Sequence, residues 1–127
     1  MIHVIDPTSH KTNGVVTNLG DEIIKESIDL FLKNEGLNFN WVSYNENPKG
    51  ILILGGANIL SKNPWSNDSC WNPIKSLIKS NNVFLLGVGW WQYQSLNKIT
   101  KFIYRKTFKN NIQSVRDSYT QENLKYC

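Results

Sequence analysis

At 127 residues the chain has the size of one domain, long enough to bury a hydrophobic core. Its 40% apolar and 19% charged residues exclude a disordered polypeptide. A formal charge of +4 with no dense run of Lys or Arg argues against a nucleic-acid surface, and two cysteines without CxxC spacing argue against a disulfide framework or a zinc site.

Val4 and Ile5 begin a short apolar strand, followed by a polar loop from Pro7 to about Thr17. Asn18 is placed to cap a helix whose first turn carries Asp21 and Glu22, charges that suit the positive end of a helix dipole. Ile24, Ile28 and Phe31 form its apolar face, and Gly36 can end it. Phe39 to Tyr44 reads as a strand. The short link to Ile51 leaves two pairings open for it, an antiparallel hairpin or a place in a parallel sheet.

Ile51 to Leu54 is a continuous apolar run ending in Gly55-Gly56, as expected of a strand covered on both faces. Ala57 to Cys70 reads as loop. Asn72 and Pro73 open a second helix, with Ile74, Leu77 and Ile78 as its buried side. Val83 to Gly89 repeats the pattern of apolar run and glycines, and Trp90, Trp91 and Tyr93 follow. Ser95 is placed to cap a third helix with Leu96, Ile99, Phe102 and Ile103 inward. Ile112 to Val115 is a short strand. Ser118 and Gln121 have capping-box spacing for a last, two-turn helix.

This alternation predicts an α/β fold, a mostly parallel sheet with helices on both faces and right-handed crossovers. Ligands of such sheets bind beyond the carboxyl ends of the strands. Four segments are expected there: 18–21, 55–58, 87–90 and 116–118. Gly55-Gly56 is either a tight turn or a place where backbone approaches a ligand. Gly87-Val88-Gly89 lacks the third glycine of a dinucleotide fingerprint, and no phosphate-loop motif occurs.

Asp21 is either a helix-end charge or a carboxylate that holds a sugar hydroxyl or acts as a base. Arg116 either pairs with Asp117 or grips a phosphate or carboxylate. Trp90, Trp91 and Tyr93 either cap the core or present a stacking surface. His10 lies in a loop from which it could reach the cleft, and His3 belongs to the first strand's surroundings. No metal-ligand or Ser-His-Asp spacing is visible. The N-terminus is too short and too polar for a signal peptide, and no apolar run approaches the roughly 20 residues of a membrane span. A cytoplasmic protein with reduced thiols is the expectation.

Four motifs together resemble the polysaccharide pyruvyl transferase family. Asn18-Leu19-Gly20-Asp21-Glu22 is similar to its N-x-G-D-E helix opening, and Leu54-Gly55-Gly56-Ala57-Asn58 to its strand-end GGG-[NS] segment. Leu86-Gly87-Val88-Gly89 resembles its L-G-x-G strand end, and Val115-Arg116-Asp117-Ser118-Tyr119-Thr120 its V-R-D-x-x-[ST] element. Ala57 departs from the third glycine. The resemblance implies a Rossmann-like αβα sandwich, one half of a GT-B-like architecture, with residues 1–127 as the N-terminal domain and the C-terminal domain absent.

It further implies an enzyme of exopolysaccharide synthesis that moves a pyruvyl group from phosphoenolpyruvate to a sugar or lipid-linked sugar, without metal or redox cofactor. The residues it places in the acceptor-side wall of the cleft are Asn18, Gly20, Asp21, Gly55, Gly56, Asn58, Gly89 and Arg116, with Asp21 as the catalytic candidate. The other reading is a non-catalytic sugar-binding or assembly module. It would form a homo-oligomer or pair with a chain that supplies the C-terminal domain.

Overall fold

The computed structural model describes residues 1–9, 19–66, 69–91, 95–109, 111 and 113–125. In chain order the strands are Ile2–Ile5 (β1), Phe39–Val42 (β2), Ile51–Gly55 (β3), Asn58–Leu60 (β4), Asn82–Leu86 (β5) and Gly89–Trp90 (β6). The helices are Leu19–Asn34 (α1), Pro73–Ile78 (α2), Lys98–Phe108 (α3) and Ser118–Leu124 (α4). The main sheet has the order β2-β1-β3-β5 and every pair in it is parallel.

The register puts β1 between its neighbours, with Ile2 opposite both Phe39 and Ile51. The hairpin pairing of β2 with β3 is therefore not formed. Inserting β1 gives Val4 and Ile5 apolar cover on both sides, and they are 0% and 1% exposed. Successive residues alternate between faces. Val4 packs with Ile28 and Leu32 of α1 on one face. Ile5, Leu52, Leu54, Val83 and Leu85 pack with Trp71, Tyr104 and Phe108 on the other, where α2 and α3 lie. The result is the parallel sheet with helices on both faces that alternation predicted, in the Rossmann-like arrangement that the resemblance implied.

Two glycines break the sheet at one level. Gly56 (φ 62°) and Gly87 (φ 65°) adopt left-handed backbone just beyond β3 and β5, a conformation that costs other residues about 1 kcal/mol or more. Their strands are neighbours there, with the Gly56 N–H donating to Leu86 O at 2.8 Å. After the break the two chains pair again as β4 and β6. Part of the stretch 57–70, expected to be loop, is thus a strand, because Ile59 and Leu60 gain complete burial by extending there. Val115 of the expected strand 112–115 makes one parallel bridge to Val88, and Ile112 lies outside the described residues.

Helix faces depart from the expected ones where polar groups set the rotation. In α3 the Tyr104 hydroxyl accepts from Ser61 N–H and donates to Ser61 O, both at 3.0 Å, and Thr100 Oγ1 donates to Lys62 O. These bonds turn Thr100, Tyr104, Thr107 and Phe108 inward and leave Ile99 and Phe102 outside, 65% and 60% exposed. In α2 the buried residues are Pro73 and Ser76, and Ile78 is exposed. In α1 Ile28 and Leu32 are buried and Phe31 is exposed.

Caps move too. Asn97, not Ser95, caps α3 by accepting from Thr100 N–H at 2.8 Å. Asp117, one residue before the expected Ser118, caps α4. Asn72 and Pro73 start α2 as expected, and Gly36 (φ 69°) ends α1.

Candidate functional site

The carboxyl ends of β1, β3 and β5 carry the segments that the sequence singled out, but the structure gives them different neighbours. Gly55 and Gly56 face α1. A Cβ on Gly55 would stand 2.1 Å from Ile28 Cδ1, and one on Gly56 2.2 Å from Ile24 Cγ2. The missing side chains admit a helix that lies directly on the strand end. The close approach at this turn is protein on protein.

Gly89 has polar neighbours. A Cβ there would meet Asn58 Oδ1 at 2.1 Å and Arg116 Cδ at 2.5 Å. Register explains the meeting: Asn58 pairs with Gly89 across β4 and β6, while the Arg116 N–H donates to Val88 O at 3.1 Å. Arg116 Nη1 then donates to Asn58 Oδ1 at 3.3 Å above the bare Gly89 backbone. Asn58 and Arg116 are solvent-exposed, and Gly89 beneath them is buried. The alternative partner, Asp117, is engaged elsewhere: its carboxylate accepts from Thr120 N–H at 2.7 Å. The Asn58 bond is the one side-chain hydrogen bond of Arg116 among the described residues. A guanidinium has five N–H donors, so this one can still take an anion or a sugar hydroxyl.

Asp21 stands in the first turn of α1, half-buried, and Gly20 beside it is exposed. The charge of Asp21 acts on two groups that sequence reasoning missed. Cys70 is exposed as a residue, but partial cover of its thiol first, and the charge of Asp21 second, push that thiol up. The Tyr44 hydroxyl, 8% exposed, is pushed well above its usual value by burial first, then by the charges of Cys70, Asp21 and Asp6. Both groups are held in their neutral, proton-bearing forms. Tyr44 lies in the turn just after β2 and Cys70 at the end of a polar loop, so neither position carries a motif that would mark it.

Asp6 lies at the end of β1. Burial would raise its carboxyl, but hydrogen bonds from Lys25 and Thr8 outweigh that and hold it below the ordinary carboxylate range. Lys25 bonds Asp6 Oδ2 at 2.5 Å and lies 5.3 Å from the centre of the Trp41 ring.

Trp90 is 1% exposed and edge-on to Tyr104, so it belongs to the core; Trp91 is 48% exposed. A stacking surface that includes Trp90 is not formed. Asn18, His10 and Tyr93 lie outside the described residues. His3 is in β1, its Nδ1 buried without a partner among those residues. Arg116 lines neither of two further cavities, although its chain neighbour Val115 lines the first. One of about 500 Å³ is lined by Phe108, Gln113 and Leu124, the other of about 370 Å³ by Thr8, Lys25 and Trp41. The Asn58–Arg116 pair is an open polar shelf. Among the described residues no group of His, Cys, Asp and Glu is arranged to hold a metal ion, and no helix is long and apolar enough to cross a membrane.

A family model, described as polysaccharide pyruvyl transferase, matches residues 18–127. Searches of the curated proteins and of the solved structures returned no match.

Proposed function

The chain belongs to the polysaccharide pyruvyl transferase family, and from that premise we propose that it forms the acceptor-side wall of a pyruvyl-transfer cleft. The reaction would carry a pyruvyl group from phosphoenolpyruvate to hydroxyls of a polysaccharide-linked sugar. Its demands are orientation of two sugar oxygens and stabilisation of charge on the departing phosphate. The observation that supports this reading is the Asn58–Arg116 couple over Gly89, exposed at the carboxyl edge of a parallel sheet. A carboxamide and a guanidinium side by side supply an acceptor and several donors, the combination that fits a vicinal pair of hydroxyls or a phosphate edge.

Asn58 and Arg116 take the ligand in this proposal, and Gly89 supplies bare backbone beneath it. Asp21 orients the acceptor from the start of α1, with Gly20 and Asn18 beside it in sequence. Gly55 and Gly56 act at one remove, by letting α1 reach the edge. The donor phosphate is held mainly by a second domain, in the same or another chain, and the site works in the cytoplasm. The test mixes the chain with phosphoenolpyruvate and a panel of nucleotide-linked and lipid-linked sugars. Sugar binding that is lost in Asn58→Ala and Arg116→Ala, with no phosphate released, is the expected result. Phosphate release by the chain alone overturns the assignment of the donor site elsewhere, and sugar binding untouched by both substitutions overturns the shelf.

A further inference from the structure

Charge is divided between the two faces of the sheet. From Ser69 to Arg116 the sequence holds no Asp or Glu and eight of the chain's 14 basic residues. This stretch includes α2 and α3, which pack together on one face. On the opposite face α1 carries four carboxylates, Asp21, Glu22, Glu26 and Asp29, against two lysines, Lys25 and Lys33.

The outward side of α3 is both basic and apolar. At 100° per residue, Phe102 and Ile99 fall on the arc opposite the buried Tyr104 and Thr107, and Lys98 and Lys106 fall on the same arc. Phe102 and Ile99 are 60% and 65% exposed, and Lys106 Nζ lies 5.6 Å from the Phe102 ring centre. Ile78, at the end of neighbouring α2, is also 78% exposed, with Lys75 and Lys79 close to it in sequence. The core does not need these apolar side chains. It is filled on this side by Thr100, Tyr104, Thr107 and Phe108.

We propose that the α2–α3 face docks on the surface of an anionic lipid bilayer. Lysine stems lie along an apolar surface while their ammonium heads stay at headgroup level, and Phe and Ile side chains enter the boundary below them. Juxtaposed cations raise the affinity for acidic lipids, by an amount that falls with salt. A nucleic acid would use the cations and could stack on Phe102, but it has no place for the exposed Ile78 and Ile99. The bilayer uses both. This docking is independent of the acceptor reading, because none of its residues belongs to the Asn58–Arg116 shelf.

Co-sedimentation with vesicles tests it, with phosphatidylcholine alone compared against phosphatidylcholine mixed with phosphatidylglycerol. Binding only to the anionic vesicles is expected, weakening as salt is raised. Phe102→Ser should lower the partition coefficient about ten-fold, the effect of removing one buried aromatic side chain. Lys98→Glu should lower it about five-fold or more. Phe31→Ser, at an exposed position of α1 on the acidic face, should leave it unchanged, and circular dichroism checks that all three variants fold. Equal binding to both vesicle types, or none, overturns the proposal. So does loss with Lys98→Glu but not Phe102→Ser, which would mark a purely electrostatic surface for a polyanion. Concentration-dependent dimers that Phe102→Ser dissolves, without vesicle binding, would assign the face to a second copy instead.

Discussion

The two glycine turns at the edge of the sheet have the same sequence character and opposite surroundings. Gly56 and Gly87 break adjacent strands with the same left-handed backbone. At the first break Gly55 and Gly56 are closed over by Ile28 and Ile24 of α1; at the second Gly87 is open, and Gly89 two residues on lies under Asn58 and Arg116. Glycine therefore marks close approach at both turns, and the approaching group is apolar protein at one and an exposed polar couple at the other. What can bind a ligand is decided by the neighbour.

Substitutions that fill the glycine surfaces break this comparison most strongly. Gly56→Ala adds a clash at 2.2 Å with a branched side chain to a φ of 62°, and should cost about 3 kcal/mol in a denaturant titration. Tyr104→Phe should cost about 2 kcal/mol, because a buried hydroxyl that anchors Ser61, just after β4, is lost and Ser61 N–H and O are left without it. Gly89→Ala should cost less than Gly56→Ala, about 1 kcal/mol, because exposed side chains can give way. It should nonetheless abolish sugar binding, separating the open turn from the closed one.

Two pH effects probe the α1 side. The folded-state pKa of Asp6 is below its unfolded value of 3.8, so its stabilisation is present above that value and lost as pH falls through the lower, folded one. Lys25→Met should flatten acid unfolding in that window. Tyr44 has the opposite sign. Its raised pKa gives stability that is present below pH 10 and lost at higher pH, and Tyr44→Phe should remove that alkaline loss. The smallest stability effect is expected for Arg116→Ala, within about 0.5 kcal/mol because the side chain is exposed. Its effect should appear in ligand titration.

The sequence by itself determined the fold class, the order of most elements and the glycine positions. Apolar runs such as Ile51–Leu54, ended by glycine, have one economical solution in a buried parallel strand. The helix starts at Pro73 and near Ser118 were legible for the same local reason, since capping depends on residues within one turn. The Asn58–Arg116 pairing was not legible. It joins positions 58 residues apart, through a register set after both strands break. The faces of α2 and α3 were not legible either. Hydrophobic periodicity nominated Ile78, Ile99 and Phe102 for the core. The hydrogen bonds of Tyr104 and Thr100 to the segment after β4 turned α3 the other way, since a buried hydroxyl must keep its partners and an isoleucine can remain in water at less cost.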